Sequence, residues 1–68
     1  MNYQVHIKEG INASVKNYES LSDANRYVVE KASEMNLVYG YDSDGWAFAH
    51  DDIEYSPVRT EIFIFHIG

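Results

Sequence analysis

Sixty-eight residues with no cysteine, 46% hydrophobic and 15% aromatic, at a formal charge of −6, describe one small folded domain; they exclude a disulfide scaffold and a disordered chain. Five Lys and Arg stand against eleven Asp and Glu, which excludes direct nucleic-acid binding, because such binders gain affinity by setting cations on phosphates. No apolar run approaches a membrane span, and the first residues lack the basic-then-apolar pattern of a secretory leader; the expected location is cytoplasmic, with no membrane partner.

Residues 3–8 alternate, with Tyr3, Val5 and Ile7 on one side and Gln4, His6 and Lys8 on the other. That period of two is the signal of a half-buried strand. Glu9 and Gly10 mark a turn. Ile11, Ala13 and Val15 then alternate with Asn12, Ser14 and Lys16, which predicts a second strand folded back on the first. Ser20 or Ser22 supplies an N-cap, and Asp23 places a carboxylate in the first turn, where the helix dipole favours it. Leu21, Ala24, Val28, Ala32 and Met35 recur at steps of three and four, making one apolar stripe on a helix over about residues 22–36. Asn25, Glu30 and Glu34 lie away from it. Asn36 suits the left-handed position after the last turn, and Leu37 can fold back on that turn.

Residues 37–41 read as a strand. Asp42, Ser43, Asp44 and Gly45 have the chemistry of a type I turn followed by a left-handed glycine, the three-residue hairpin loop with a bulge. Residues 46–50 return as its partner. Residues 51–59 hold the one proline, Pro57, and read as a connection that Ile53 and Tyr55 could anchor. Residues 60–67 are apolar on both faces, Ile62 and Ile64 on one and Phe63, Phe65 and Ile67 on the other; such a strand is central or has its second face covered. The expected fold is α+β in the order ββαβββ: a small antiparallel β-sheet of four to five strands with one α-helix packed on one face. One helix covers one face, so the other is partly open and some aromatics of the C-terminal half lie on it.

Residue types limit the chemistry. Covalent catalysis needs an activated nucleophile, an oriented base and an oxyanion site. The chain has no cysteine, nucleophile elbow or glycine-rich phosphate loop, so no enzyme activity, catalytic residue or cofactor is expected. His6, His50 and His66 fall on three different strands without the short spacing of zinc ligands, and no metal is expected. His6 reads as a solvated residue of a polar face. His66 suits a satisfied strand position or a self-association surface. Asp42, Asp44, Gly45 and Asp51 invite comparison with a calcium loop. The first ligand position would then be Gly40, which has no side-chain oxygen, and a turn is the simpler reading.

The two halves differ in surface. Residues 1–36 carry Lys8, Lys16, Arg26 and Lys31 against Glu9, Glu19, Asp23, Glu30 and Glu34; residues 37–68 carry Arg59 alone against Asp42, Asp44, Asp51, Asp52, Glu54 and Glu61. Seven of the aromatics also fall in the second half: Tyr39, Tyr41, Trp46, Phe48, Tyr55, Phe63 and Phe65. Phe48, Phe63 and Phe65 are expected in the core. Tyr39, Tyr41, Asp42, Asp44, Trp46, Asp51, Asp52 and Glu54 form the expected partner-binding set, since Tyr and Trp are frequent anchors of interfaces and acids steer toward basic partners. The resulting expectation is a small acidic protein-binding module, an inhibitor or adaptor of the phage or mobile-element kind. Its partner is a protein, including one that binds nucleic acid and whose phosphate sites the acids imitate. The alternative is a self-associating structural domain, with a homo-oligomer interface on the open sheet face or the C-terminal strand.

Overall fold

A computed structural model describes residues 2–52 and 59–67. Five strands and one helix follow in the order β1 (Asn2–Glu9), β2 (Asn12–Tyr18), α1 (Leu21–Met35), β3 (Val38–Tyr41), β4 (Ala47–His50) and β5 (Thr60–Ile67). They form the α+β fold expected, one antiparallel sheet in the order β2-β1-β5-β4-β3 with α1 on one face.

Local chemistry sets each boundary. Ser20 caps α1, its Oγ accepting from the Asp23 amide at 3.2 Å. Asn36 ends it at φ 56, and the Leu37 amide donates to the Ala32 carbonyl at 2.8 Å, so the chain turns back and buries Leu37. Gly10, at φ 63, begins the two-residue loop of the first hairpin, where Glu9 stands opposite Asn12. Ile11 therefore sits at the loop tip, fully exposed, and not in β2 where alternation had placed it.

β5 is central, one of the two placements that its two apolar faces allow. It pairs with β1 along its full length, from Asn2 opposite Ile67 to Glu9 opposite Thr60. On its other side it meets β4 at Ala49 opposite Ile62 and His50 opposite Glu61. The register sends Val5, Ile7, Ala47, Ala49, Ile62 and Ile64 toward α1, where they close on Ala24, Val28 and Ala32. No buried polar or charged residue interrupts this core among the described residues.

The same register overturns one expectation. Because Ile62 and Ile64 face the helix, Phe63 and Phe65 face away from it, and so does Phe48 opposite Gly40. Phe65 is 50% exposed and Phe48 37%, while Phe63 is half-buried. They line the open face instead of the core, since one helix has only one face to cover. His6 is corrected too: it is half-buried against Phe63 and Phe65, with ring centroids 5.4 and 4.7 Å away. The connection expected over residues 51–59 lies, for Ile53, Tyr55 and Pro57, outside the described residues.

Candidate protein-binding surface

The β3–β4 hairpin forms one margin of the sheet. Tyr39 stands opposite Ala49 and Tyr41 opposite Ala47, so both rings lie on the helix side of the sheet. β3 is the edge strand, and α1 does not extend over it far enough to hide them: Tyr39 is 49% exposed and Tyr41 57%. Positions i and i+2 of one strand share a face, which makes the two tyrosines neighbours along one edge.

Asp42 organises the hairpin tip. Its Oδ1 accepts from the amides of Asp44 and Trp46, both at 2.9 Å. The Asp42 amide donates to the Trp46 carbonyl at 2.9 Å, and the Gly45 amide to the Asp42 carbonyl at 3.0 Å. With Gly45 at φ 82, this is the three-residue bulged loop read from the sequence. Asp44 is exposed at its tip.

Asp51 and Asp52 lie beyond the other end of β4. The Asp51 amide donates to the Thr60 carbonyl at 3.0 Å, and its Oδ2 accepts from the Thr60 amide at 2.7 Å. This side chain thus joins the end of β4 to the start of β5. Asp52 is exposed. Glu54 lies outside the described residues. The acids are accordingly split between the two ends of the hairpin, about 13 Å apart for a four-residue strand, with Tyr39 and Tyr41 between them.

Trp46 takes a different place from the tyrosines. It is half-buried beside the core, its ring edge-on to Tyr3 at 5.9 Å and 6.3 Å from His66. Tyr3 and His66 are themselves 5.0 Å apart. These three rings pack together on the helix side of the sheet, with Trp46 directly after the acidic loop.

Asn25 is the residue that sequence reasoning passed over. Its Nδ2 donates to the Gly45 carbonyl and its Oδ1 accepts from the Ala47 amide, each at 2.8 Å. This bidentate contact fixes the hairpin to the second turn of α1. Position on the helical wheel had placed Asn25 away from the apolar stripe; its amide group was the available signal, since Asn can satisfy a donor and an acceptor at once.

The charge around this surface is one-sided. Residues 37–52 contain Asp42, Asp44, Asp51 and Asp52 and no Lys or Arg. On the far margin, where β2 meets α1, Lys16, Arg26 and Lys31 mingle with Asp23, Glu30 and Glu34 around Tyr18 and Tyr27, and Lys16 Nζ lies 4.6 Å from the Tyr27 ring centre. Charge cancels there and accumulates at the hairpin. Among the described residues no group of three His, Asp or Glu side chains is placed to hold a metal ion, and no helix is long and apolar enough to cross a membrane. No family model, curated protein or solved structure matches the chain.

Proposed function

We propose that this chain is a small acidic protein-binding module, an inhibitor or adaptor acting in the cytoplasm, that docks through its β3–β4 hairpin onto a basic surface of another protein. The observation that carries the reading is the pair of half-exposed tyrosines, Tyr39 and Tyr41, on an edge strand flanked at both ends by acids. Tyrosine supplies large contact area at little conformational cost, and uncompensated acids speed encounter with a basic partner and set its register. A protein that binds nucleic acid fits this description, because its phosphate sites are built to accept negative charge.

Affinity capture from a lysate of the source organism, compared with two variants, tests it. Replacing Tyr39 and Tyr41 by Ala is expected to weaken the captured partner by about 2 kcal/mol or more, the loss of interface anchors. Asp42, Asp44, Asp51 and Asp52 changed together to Asn keep the side-chain oxygens that hold the loop and Thr60, so the hairpin persists while its charge is removed. If that variant retained the partner's affinity and its salt dependence, the electrostatic part of the proposal would be wrong.

A further inference from the structure

We propose that the uncovered face of the sheet is the interface of a two-fold homodimer, its occupant being the same face of a second copy. This surface is separate from the edge that carries Tyr39 and Tyr41. Of the eight large hydrophobic side chains exposed among the described residues, five lie here: Val15, Val38, Phe48, Phe65 and Ile67. They are arranged, not scattered. His6 stacks on Phe63 with 12° between ring planes, Phe65 stands edge-on to both, and Phe48 is parallel to His50 at 6.2 Å. Gly40 contributes by omission, because a Cβ there would lie 3.2 Å from the Phe48 Cζ; the ring rests over bare backbone. Exposed large apolar side chains gathered on one face of a small protein mark an interaction site.

Charge and area identify the occupant. The chain carries −6, and two copies repel wherever their acids approach. Within the strands, the open face carries one Lys and one Glu, Lys8 and Glu61, and these stand opposite each other in the β1–β5 register. The face is therefore formally neutral, its acids and bases balanced in place; a second copy meets less repulsion here than at the acidic hairpin, and this face, unlike the balanced β2–α1 margin, is apolar. A two-fold contact also requires one patch to match itself, and an apolar centre with a neutral polar rim does so. Strands of up to eight residues in a five-stranded sheet cover roughly 500 Å² per copy, so a face-to-face pair hides roughly 1,000 Å², the size at which specific interfaces begin. The product is a two-sheet sandwich with a helix on each outer side, in which sheets lie about 10 Å apart.

Sedimentation equilibrium of the full chain from micromolar to millimolar concentration is the test, with Phe65→Lys and Tyr41→Lys beside the wild type. Both substitutions reduce the net negative charge equally, so general repulsion falls equally in each. The wild type and Tyr41→Lys are expected to dimerise, and Phe65→Lys to raise the dissociation constant by about tenfold or more through a cation placed in the interface. A wild type that stays monomeric at every concentration overturns the proposal. So does a Phe65→Lys chain with native circular dichroism that dimerises as tightly as the wild type. Should that variant not fold, concentration-dependent amide shifts of the wild type decide: they are expected to gather at His6, Phe48, Phe63 and Phe65, and gathering instead along the Asn12–Tyr18 edge or at Tyr39 and Tyr41 refutes it.

Discussion

At the scale of the residue, the hairpin depends on two small features, a helix amide and a loop glycine. Asn25 is the more consequential, because it satisfies the amide of buried Ala47 as well as the carbonyl of Gly45. Asn25→Ala leaves both groups without that partner, and a buried polar group so stranded costs about 1–3 kcal/mol. The expected outcome is a lowered urea midpoint with little change in the denaturant slope. Asn25→Asp keeps the oxygen for Ala47 and should lose less. Gly45 acts through its backbone alone: it has φ 82, and an added Cβ would meet nothing within 4 Å. Gly45→Ala should therefore cost about 1–2 kcal/mol as left-handed strain, again read from the urea midpoint, with no change in the aromatic spectrum that a packing clash would bring.

At the scale of the element, the buried core lies between one face of the helix and one face of the sheet. α1 buries Ala24, Val28 and Ala32, small residues that let the helix approach the sheet closely. The sheet answers with Val5, Ile62 and Ile64. Ile62, 1% exposed, sits on the central strand and touches this core from the middle. Ile62→Ala removes three carbons and leaves a cavity, an expected loss of about 2–5 kcal/mol. A chain of this length has roughly 3–10 kcal/mol in all, so the loss is a large share of it, and thermal unfolding followed by circular dichroism should find the midpoint lowered by about 10 °C or more. The edges are protected differently. β2 carries Lys16, a residue that discourages further strand pairing, and its ammonium lies over the faces of Tyr18 and Tyr27. β3 is only four residues long, and a short edge is itself a poor template.

At the scale of the whole molecule, charge and apolar surface are segregated. Acids gather at the hairpin margin, mixed charges lie on the β2–α1 margin, and the open face is neutral and aromatic. The two proposed contacts then respond to salt in opposite directions. Shortening the Debye length from about 30 Å to about 8 Å screens the mutual repulsion of two acidic copies and should tighten the dimer. The same change should weaken the hairpin's hold on a basic partner by screening an attraction. Titrating both equilibria with sodium chloride checks the pair of signs; a dimer that loosens with salt would contradict the neutral-face interface.

Much of this architecture was legible in the residues themselves. Period-two alternation over residues 3–8 and the three-and-four spacing from Leu21 to Met35 depend on neighbours in the chain, and so do Ser20, Asn36, Asp42 and Gly45 at the element ends. Such features depend on short-range geometry, and here the local preferences agree with the global fold. Residues 60–67, apolar on both sides, suited a strand that is central or has its second face covered, and the single helix implied a partly open face. What local pattern left open was which phenylalanines would occupy that face. The assignment of Phe48, Phe63 and Phe65 to the open side, and of His6 to their company, follows from β1 and β4 flanking β5 and from the register that turns Ile62 and Ile64 to the helix. A strand with two apolar faces satisfies its own alternation either way round, and only the position of the single helix breaks that symmetry. The chain by itself thus determined the elements, their turns and the acidity of the second half; the tertiary structure decided the sheet order, the Asn25 link and which aromatic rings meet water.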